Sequence, residues 1–229
     1  MIRRDLAQAR TIFWKDVGST RLFVVIQGTI GGLAAIVHGI FASLLGNRPA
    51  GGLIFDPATG AFTILPTYQI SGIVTVCVGL ALIVWTIGFI HHRNGPVIFL
   101  VICILLFLVG GGIAQVGFFL IAWGVSTRIN QPPDWWKSDL SGNARKRWAG
   151  GWPAFFTGGY VFLFIGIAIW LIFTPPGTSF QGHISAYLLC WMFLVIGLVL
   201  QALTIVSGFA RDINRQALNE ARLPVLEGK

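Results

Sequence analysis

The chain has 229 residues, of which 10% are charged and 55% hydrophobic, with a mean hydropathy of +0.78 and a net charge of +8. Soluble domains carry about a quarter charged residues, so a water-soluble enzyme fold is excluded, and no polar stretch is long enough for a second, independent core. The basic surplus lies in flanks and loops without a basic face of stacking aromatics, which excludes nucleic acid as a partner and leaves helix orientation and anionic lipid as its uses.

Residues 1–21 mix charge with apolar side chains. Leu6, Ile12, Phe13, Trp14 and Val17 share part of one helical face, and Arg3, Arg4, Arg10 and Lys15 stay near the other. The pattern predicts an amphipathic helix in the headgroup layer, with Trp14 as interface anchor. A charged, amphipathic opening of this kind is similar to that of permease subunits of some exporters.

Five apolar runs follow, at 22–45, 67–90, 97–123, 153–173 and 184–208, with no Asp, Glu, Lys or Arg inside them and one histidine, His38. A helix needs about 20 apolar residues to cross the hydrocarbon core, and each run meets that length. The connection 46–66 holds Pro49, Gly51, Gly52, Pro57 and Gly60, and its 56–60 stretch reads as a tight turn between two short extended pieces. Residues 91–96 make a short link, so the second and third runs are neighbours. Residues 124–152 carry Trp135, Trp136, Trp148 and Trp152 among basic residues, the signature of a segment pressed on the membrane surface. Residues 174–182 are uncharged. Residues 209–229 continue the last run as a helix with a water-facing surface, ending near Pro224. The expected fold is an all-α integral membrane protein: an interfacial helix (1–21), a bundle of five transmembrane segments (22–208) and a cytoplasmic helical tail (209–229).

Sidedness leaves one conflict. Arg128, Lys137, Arg145, Lys146 and Arg147 precede the fourth run, Arg211, Arg215, Arg222 and Lys229 follow the fifth, and nothing basic lies between. The last two runs therefore form a hairpin with its base and the C-terminus in the cytoplasm, in a bacterial cytoplasmic membrane. The basic N-terminus also belongs inside, yet an odd number of crossings would separate the two. Either the third run crosses and the charge rule is violated, or it re-enters, bending at Gly110, Gly111 and Gly112 with its broken backbone covered by protein or water. Its apolar length favours the crossing.

Small residues form stripes. Gly31, Ala35, Gly39 and Ser43 are spaced by four, and Gly28 with Gly32 makes a GxxxG; Ser71, Thr75, Gly79 and Thr86 share a face, as do Cys190, Gly197, Gln201, Thr204 and Gly208. Such stripes let backbones approach where lipid supplies no hydrophobic drive. They mark packing within the chain or against another polypeptide. His38 lies on the first stripe. It is a candidate axial ligand of haem or chlorin, with His183 at the end of the fifth run as a possible second ligand, against the alternative of a hydrogen-bonded imidazole in a helix interface. His91 and His92 beside Arg93 read as loop residues. Cys77, Cys103 and Cys190 read as small hydrophobes without metal or disulfide spacing.

No intramembrane carboxylate for ion coupling, no clustered metal ligands and no membrane lysine are present. Gln27, Gln115 and Gln201 remain as deep hydrogen-bonding groups. These features predict a non-catalytic subunit of a larger membrane complex, holding lipid, quinone or pigment against its faces and other membrane subunits as partners. A permease subunit for a lipid or small neutral solute and a small b-type haem or pigment carrier are the alternatives.

Overall fold

The computed structural model describes residues 17–50, 61–112, 115–129, 141–173 and 184–227, the last stretch with side chains over 185–218. The interfacial helix expected at 1–21 and the turn expected at 56–60 fall almost wholly outside the described residues. Among those described there are six α-helices and no strand. They are α1 (Ser19–Leu44), α2 (Tyr68–Gly88), α3 (Gly95–Leu108), α4 (Val116–Ser126), α5 (Gly142–Phe173) and α6 (Ile184–Glu227). Four of them, α1, α2, α5 and α6, are long and apolar enough to cross a membrane, which marks a multi-pass membrane protein.

The third run departs from the expected single crossing. It is two helices, α3 of 14 residues and α4 of 11, broken at Gly110–Gly112. At 1.5 Å per residue these are roughly 21 and 16 Å long, each short of the hydrocarbon thickness. The last helix also differs from expectation, passing Pro224 and ending at Glu227.

The chain divides into two compact units, Met1–Gln131 and Pro132–Lys229. In the N-terminal unit α1 and α2 pack antiparallel along Gly28, Gly32, Ala35, Gly39 and Ala42 on one helix and Gly72, Thr75, Gly79, Leu82 and Thr86 on the other, nearly all buried. Both series alternate steps of three and four, the 3.5-residue seam of a left-handed pair. Glycine is required where backbones meet. A Cβ on Gly39 would stand 2.7 Å from Gly72 O, one on Gly72 would overlap Gly39 O, and one on Gly32 would lie 2.9 Å from Gly79 O. Gly31 lies beside this seam and receives the Phe119 ring of α4 instead.

Helix α2 starts where Thr67 Oγ1 accepts from Ile70 N at 3.4 Å. Just before it, two short extended pieces pair, with Ala50 N donating to Pro66 O at 3.0 Å and Tyr68 N to Arg48 O at 3.2 Å. Helix α3 runs antiparallel to α2, since Trp85 Nε1 donates to Gly95 O at one end and Thr75 Oγ1 to Val109 O at the other.

In the C-terminal unit α5 and α6 form an antiparallel pair. Gly166 faces Leu194, Leu163 faces Gly197, and Gly159 faces Gln201. Cys190 Sγ donates to Gly166 O at 3.4 Å. On α6 the buried or facing positions Cys190, Leu194, Gly197, Gln201, Thr204, Gly208 and Arg211 repeat the three-and-four spacing. Away from the seams the helices show aliphatic and aromatic side chains, with Phe41 66% and Leu171 67% exposed.

The α1–α2 seam sets an expected outcome. Gly39→Val forces the helices apart and destabilises the protein by about 1–3 kcal/mol, read as a lowered midpoint of unfolding in detergent. Gly117→Ala, where an added Cβ meets nothing within 4 Å, is neutral or stabilising by up to about 1 kcal/mol. Equal effects from the two would refute the close-contact account.

Candidate functional site

The break between α3 and α4 is where polar chemistry gathers in the N-terminal unit. Helix α3 stops at Val109 because Gly110 and Gly112 take φ of +112° and +87°, left-handed conformations that favour glycine. Ending a helix frees backbone carbonyls, which need donors. Gly111 N donates to Leu106 O at 2.8 Å, and Ile64 N, from the segment ahead of α2, donates to Leu108 O at 2.9 Å. Val109 O is taken by two hydroxyls one helical turn apart on α2: Ser71 Oγ at 2.5 Å and Thr75 Oγ1 at 2.9 Å. Thr63 completes the cluster. Its Oγ1 forms a hydroxyl pair with Ser71 Oγ at 3.1 Å and accepts from Leu65 N at the same distance. Ser71, Thr75 and Thr63 are 3%, 1% and 6% exposed. No titratable group takes part, so the cluster fixes backbone rather than transferring protons.

The break sits level with Gly39 of α1, because Gly39 faces Gly72, the neighbour of Ser71. Helix α4 then runs back beside α1: Phe119 meets Gly31, about two turns from Gly39. The chain therefore rises along α2 as α3 and returns along α1 as α4, a helical hairpin with its tip at 109–112.

His38 adjoins Gly39 at the depth of this tip, seven residues from Gly31 and so on nearly the same face. Its Nε2 is buried and has no hydrogen-bond partner. Gln115 Oε1, where α4 begins, is in the same condition. The hydrogen-bonded interface imidazole weighed above is therefore not what Nε2 shows. His183 lies outside the described residues, so its pairing with His38 has no geometry here. His91 and His92 lie together in the turn after α2, with ring centroids 4.3 Å apart and planes tilted by 42°. Burial, then Arg21, then His92 hold His91 below the ordinary imidazole range. Among the described residues no three His, Cys, Asp or Glu side chains gather as a metal site.

The other expected packing residues are placed as follows. Gly28, Gly32, Ala35 and Gly39 meet α2, Gly31 meets α4, and Gly197 meets Leu163 of α5. Gln201, 2% exposed, packs its aliphatic part against Gly159, while neither amide atom has a hydrogen-bond partner. Its expected role as a hydrogen-bonding link between helices is not what these atoms do. The hydroxyl cluster on Val109 and the Gly159–Leu163–Gly166 face of α5 were missed in the sequence. Ser71 and Thr75 were visible as an i, i+4 pair, but their target is 34 to 38 residues away.

No known protein family, curated protein or solved structure matches the chain.

The cluster makes a specific expectation. Ser71→Ala leaves Val109 O with Thr75 as donor and costs about 1 kcal/mol; Ser71→Ala with Thr75→Val leaves the carbonyl buried without either hydroxyl and costs about 1–3 kcal/mol beyond the single change. Unfolding midpoints in detergent, with hydrogen exchange across 109–112, measure it. Strict additivity with unchanged exchange at the tip would refute the shared cap.

Proposed function

We propose that this chain is a non-catalytic integral-membrane subunit of a larger complex. It crosses the membrane four times and inserts α3–α4 as a re-entrant hairpin. One observation carries the reading: helices with no acidic or basic side chain across their apolar runs pair through glycine seams and turn broad apolar faces outward. Such faces suit lipid, a quinone or pigment, or the helices of another subunit. The extramembrane connections are short, which leaves little mass for a catalytic domain.

Re-entrance is supported by the hairpin geometry and by the cover over its tip. Irregular backbone at membrane depth is tolerated where protein covers it, and Ser71, Thr75 and Ile64 supply that cover. It also resolves the charge conflict. With four crossings, the basic N-terminus, Arg93, Arg128 and the basic start of α5 all belong to the cytoplasmic face, and the tail returns there. A second reading, haem or chlorin ligation, is favoured by the partnerless Nε2 of His38. Visible absorbance that disappears in His38→Ala would support it, and a colourless preparation would remove it.

Two measurements test the main reading. With Cys77, Cys103 and Cys190 replaced, single cysteines at Arg93→Cys and Thr127→Cys react with a membrane-impermeant maleimide from the same side; reaction from opposite sides would show that the third run crosses. After mild-detergent extraction the chain migrates on a native gel with partner subunits. Recovery as a lone monomer would contradict the subunit assignment.

A further inference from the structure

We infer that one end of the α5–α6 pair is a binding site for the phosphate of an anionic phospholipid, a proposal that rests on the membrane reading above. The apolar run of α5 begins at Pro153, yet the helix starts at Gly142, so eleven residues extend beyond it, about 16 Å. The headgroup layer is roughly 5–7 Å deep on each side. Trp152 therefore stands at the hydrocarbon edge, and Arg145, Lys146 and Arg147 lie about 9–12 Å outward, within reach of the phosphates by their long side chains. On α6 the apolar run ends at Gly208, which places Arg211 about 5 Å into the same layer.

The two helices bring these cations together. Arg211 stacks on Trp152 with its guanidinium carbon 4.8 Å from the ring centroid. Arg145 lies seven residues before Trp152, on nearly the same face, and Arg215 lies one turn beyond Arg211. The seam of the pair thus ends in guanidinium groups from both sides. Stacking on an indole fixes the guanidinium plane and leaves its N–H edge free for a planar or tetrahedral anion. Arg145 Nε is buried without a hydrogen-bond partner, but the side chain is only part-buried, so it is the outer amino groups of its guanidinium that can meet an anion. Lys146 and Arg147 are exposed at the rim.

Charge decides the occupant. Among the described side chains of this unit, Arg145, Lys146, Arg147 and Arg211 supply cations at this end, while Asp212 is buried and both it and Arg215 are already engaged. A ligand that suits these cations brings negative charge, and it would lie where Trp152 marks the hydrocarbon edge and Trp148 stands one turn farther out. An anionic lipid meets both conditions, its acyl chains lying on the apolar faces below.

The test uses the full chain. Carbonate extraction comes first: release into the supernatant would refute the membrane reading itself, separately from this site. The detergent-purified protein is then mixed with equal amounts of phosphatidylglycerol and phosphatidylcholine, and retained lipid is read by native mass spectrometry. The wild type retains phosphatidylglycerol in preference. Arg145→Gln with Arg211→Gln lowers that preference about 30-fold, the equivalent of two surface cations, while Arg48→Gln with Arg93→Gln leaves it unchanged. If the double variant does not fold, salt decides on the wild type, since raising NaCl must erase the preference. Equal retention of both lipids, a preference indifferent to salt, or an acidic protein segment occupying this end to the exclusion of phosphatidylglycerol would overturn the site.

Discussion

A buried peptide carbonyl needs a donor, and among the described residues Val109 O meets that demand away from a regular helix. Two hydroxyls on α2 and the amide of Ile64 close the backbone of 108–109. Much of the N-terminal unit follows from that arrangement. Because the carbonyls are satisfied from outside α3, the chain can leave the helix at Gly110 and reverse. Because it reverses, 97–123 is not one rod of about 40 Å but two short helices lying against α2 and α1. Because Ile64 and Thr63 help cap the tip, the segment ahead of α2 is pinned to it. A neutral hydrogen bond is worth about 1 kcal/mol net, whereas a buried carbonyl left open costs about 1–3. The cluster matters mainly for the penalty it prevents.

The glycine seams act by the complementary route. Lipid tails are as apolar as the helices, so association gains little from leaving them. What remains is dispersion between closely fitted backbones. Glycine at 39 and 72 brings two main chains into contact, and glycine at 159, 166 and 197 lets leucine and glutamine side chains settle on the facing helix. Each unit thus holds together on narrow lines of small residues. Many large side chains, such as Phe41 and Leu171, are left for the outside, while Phe23, Phe99, Leu82 and Leu106 fill the N-terminal unit.

These devices were unequally visible in the sequence. Run lengths pick out five uncharged stretches, and four of them, α1, α2, α5 and α6, are single helices long and apolar enough to cross a membrane. The stripes on α1, α2 and α6 were legible because small residues stand out at steps of three and four. The partner stripe on α5 was not, because Leu163 separates its glycines and a leucine carries no signal in an apolar run. The break in the third run was visible only as three consecutive glycines. Hydropathy cannot decide whether a chain bends there, because bending depends on a donor elsewhere, and Ser71 and Thr75 are remote in sequence. Gln201 failed in the opposite sense. Its depth implied a partner, but the residue opposite is Gly159, which offers no side chain.

The remaining polar atoms define what the packing leaves undone. His38 Nε2, Gln115 Oε1 and both amide atoms of Gln201 are buried with no partner. An unpaired amide in an apolar setting costs about 1–3 kcal/mol by protein mutational measures, comparable with what a hydroxyl cap saves. A leucine at 201 would pack on Gly159 without that penalty, so intrachain packing does not account for the amide. His38 and Gln115 stand at the depth of the glycine tip, where left-handed residues rather than a helical ladder hold the chain. Two of these unsatisfied groups, His38 Nε2 and Gln115 Oε1, therefore lie at the level of the irregular backbone in the N-terminal unit, while Gln201 belongs to the other unit.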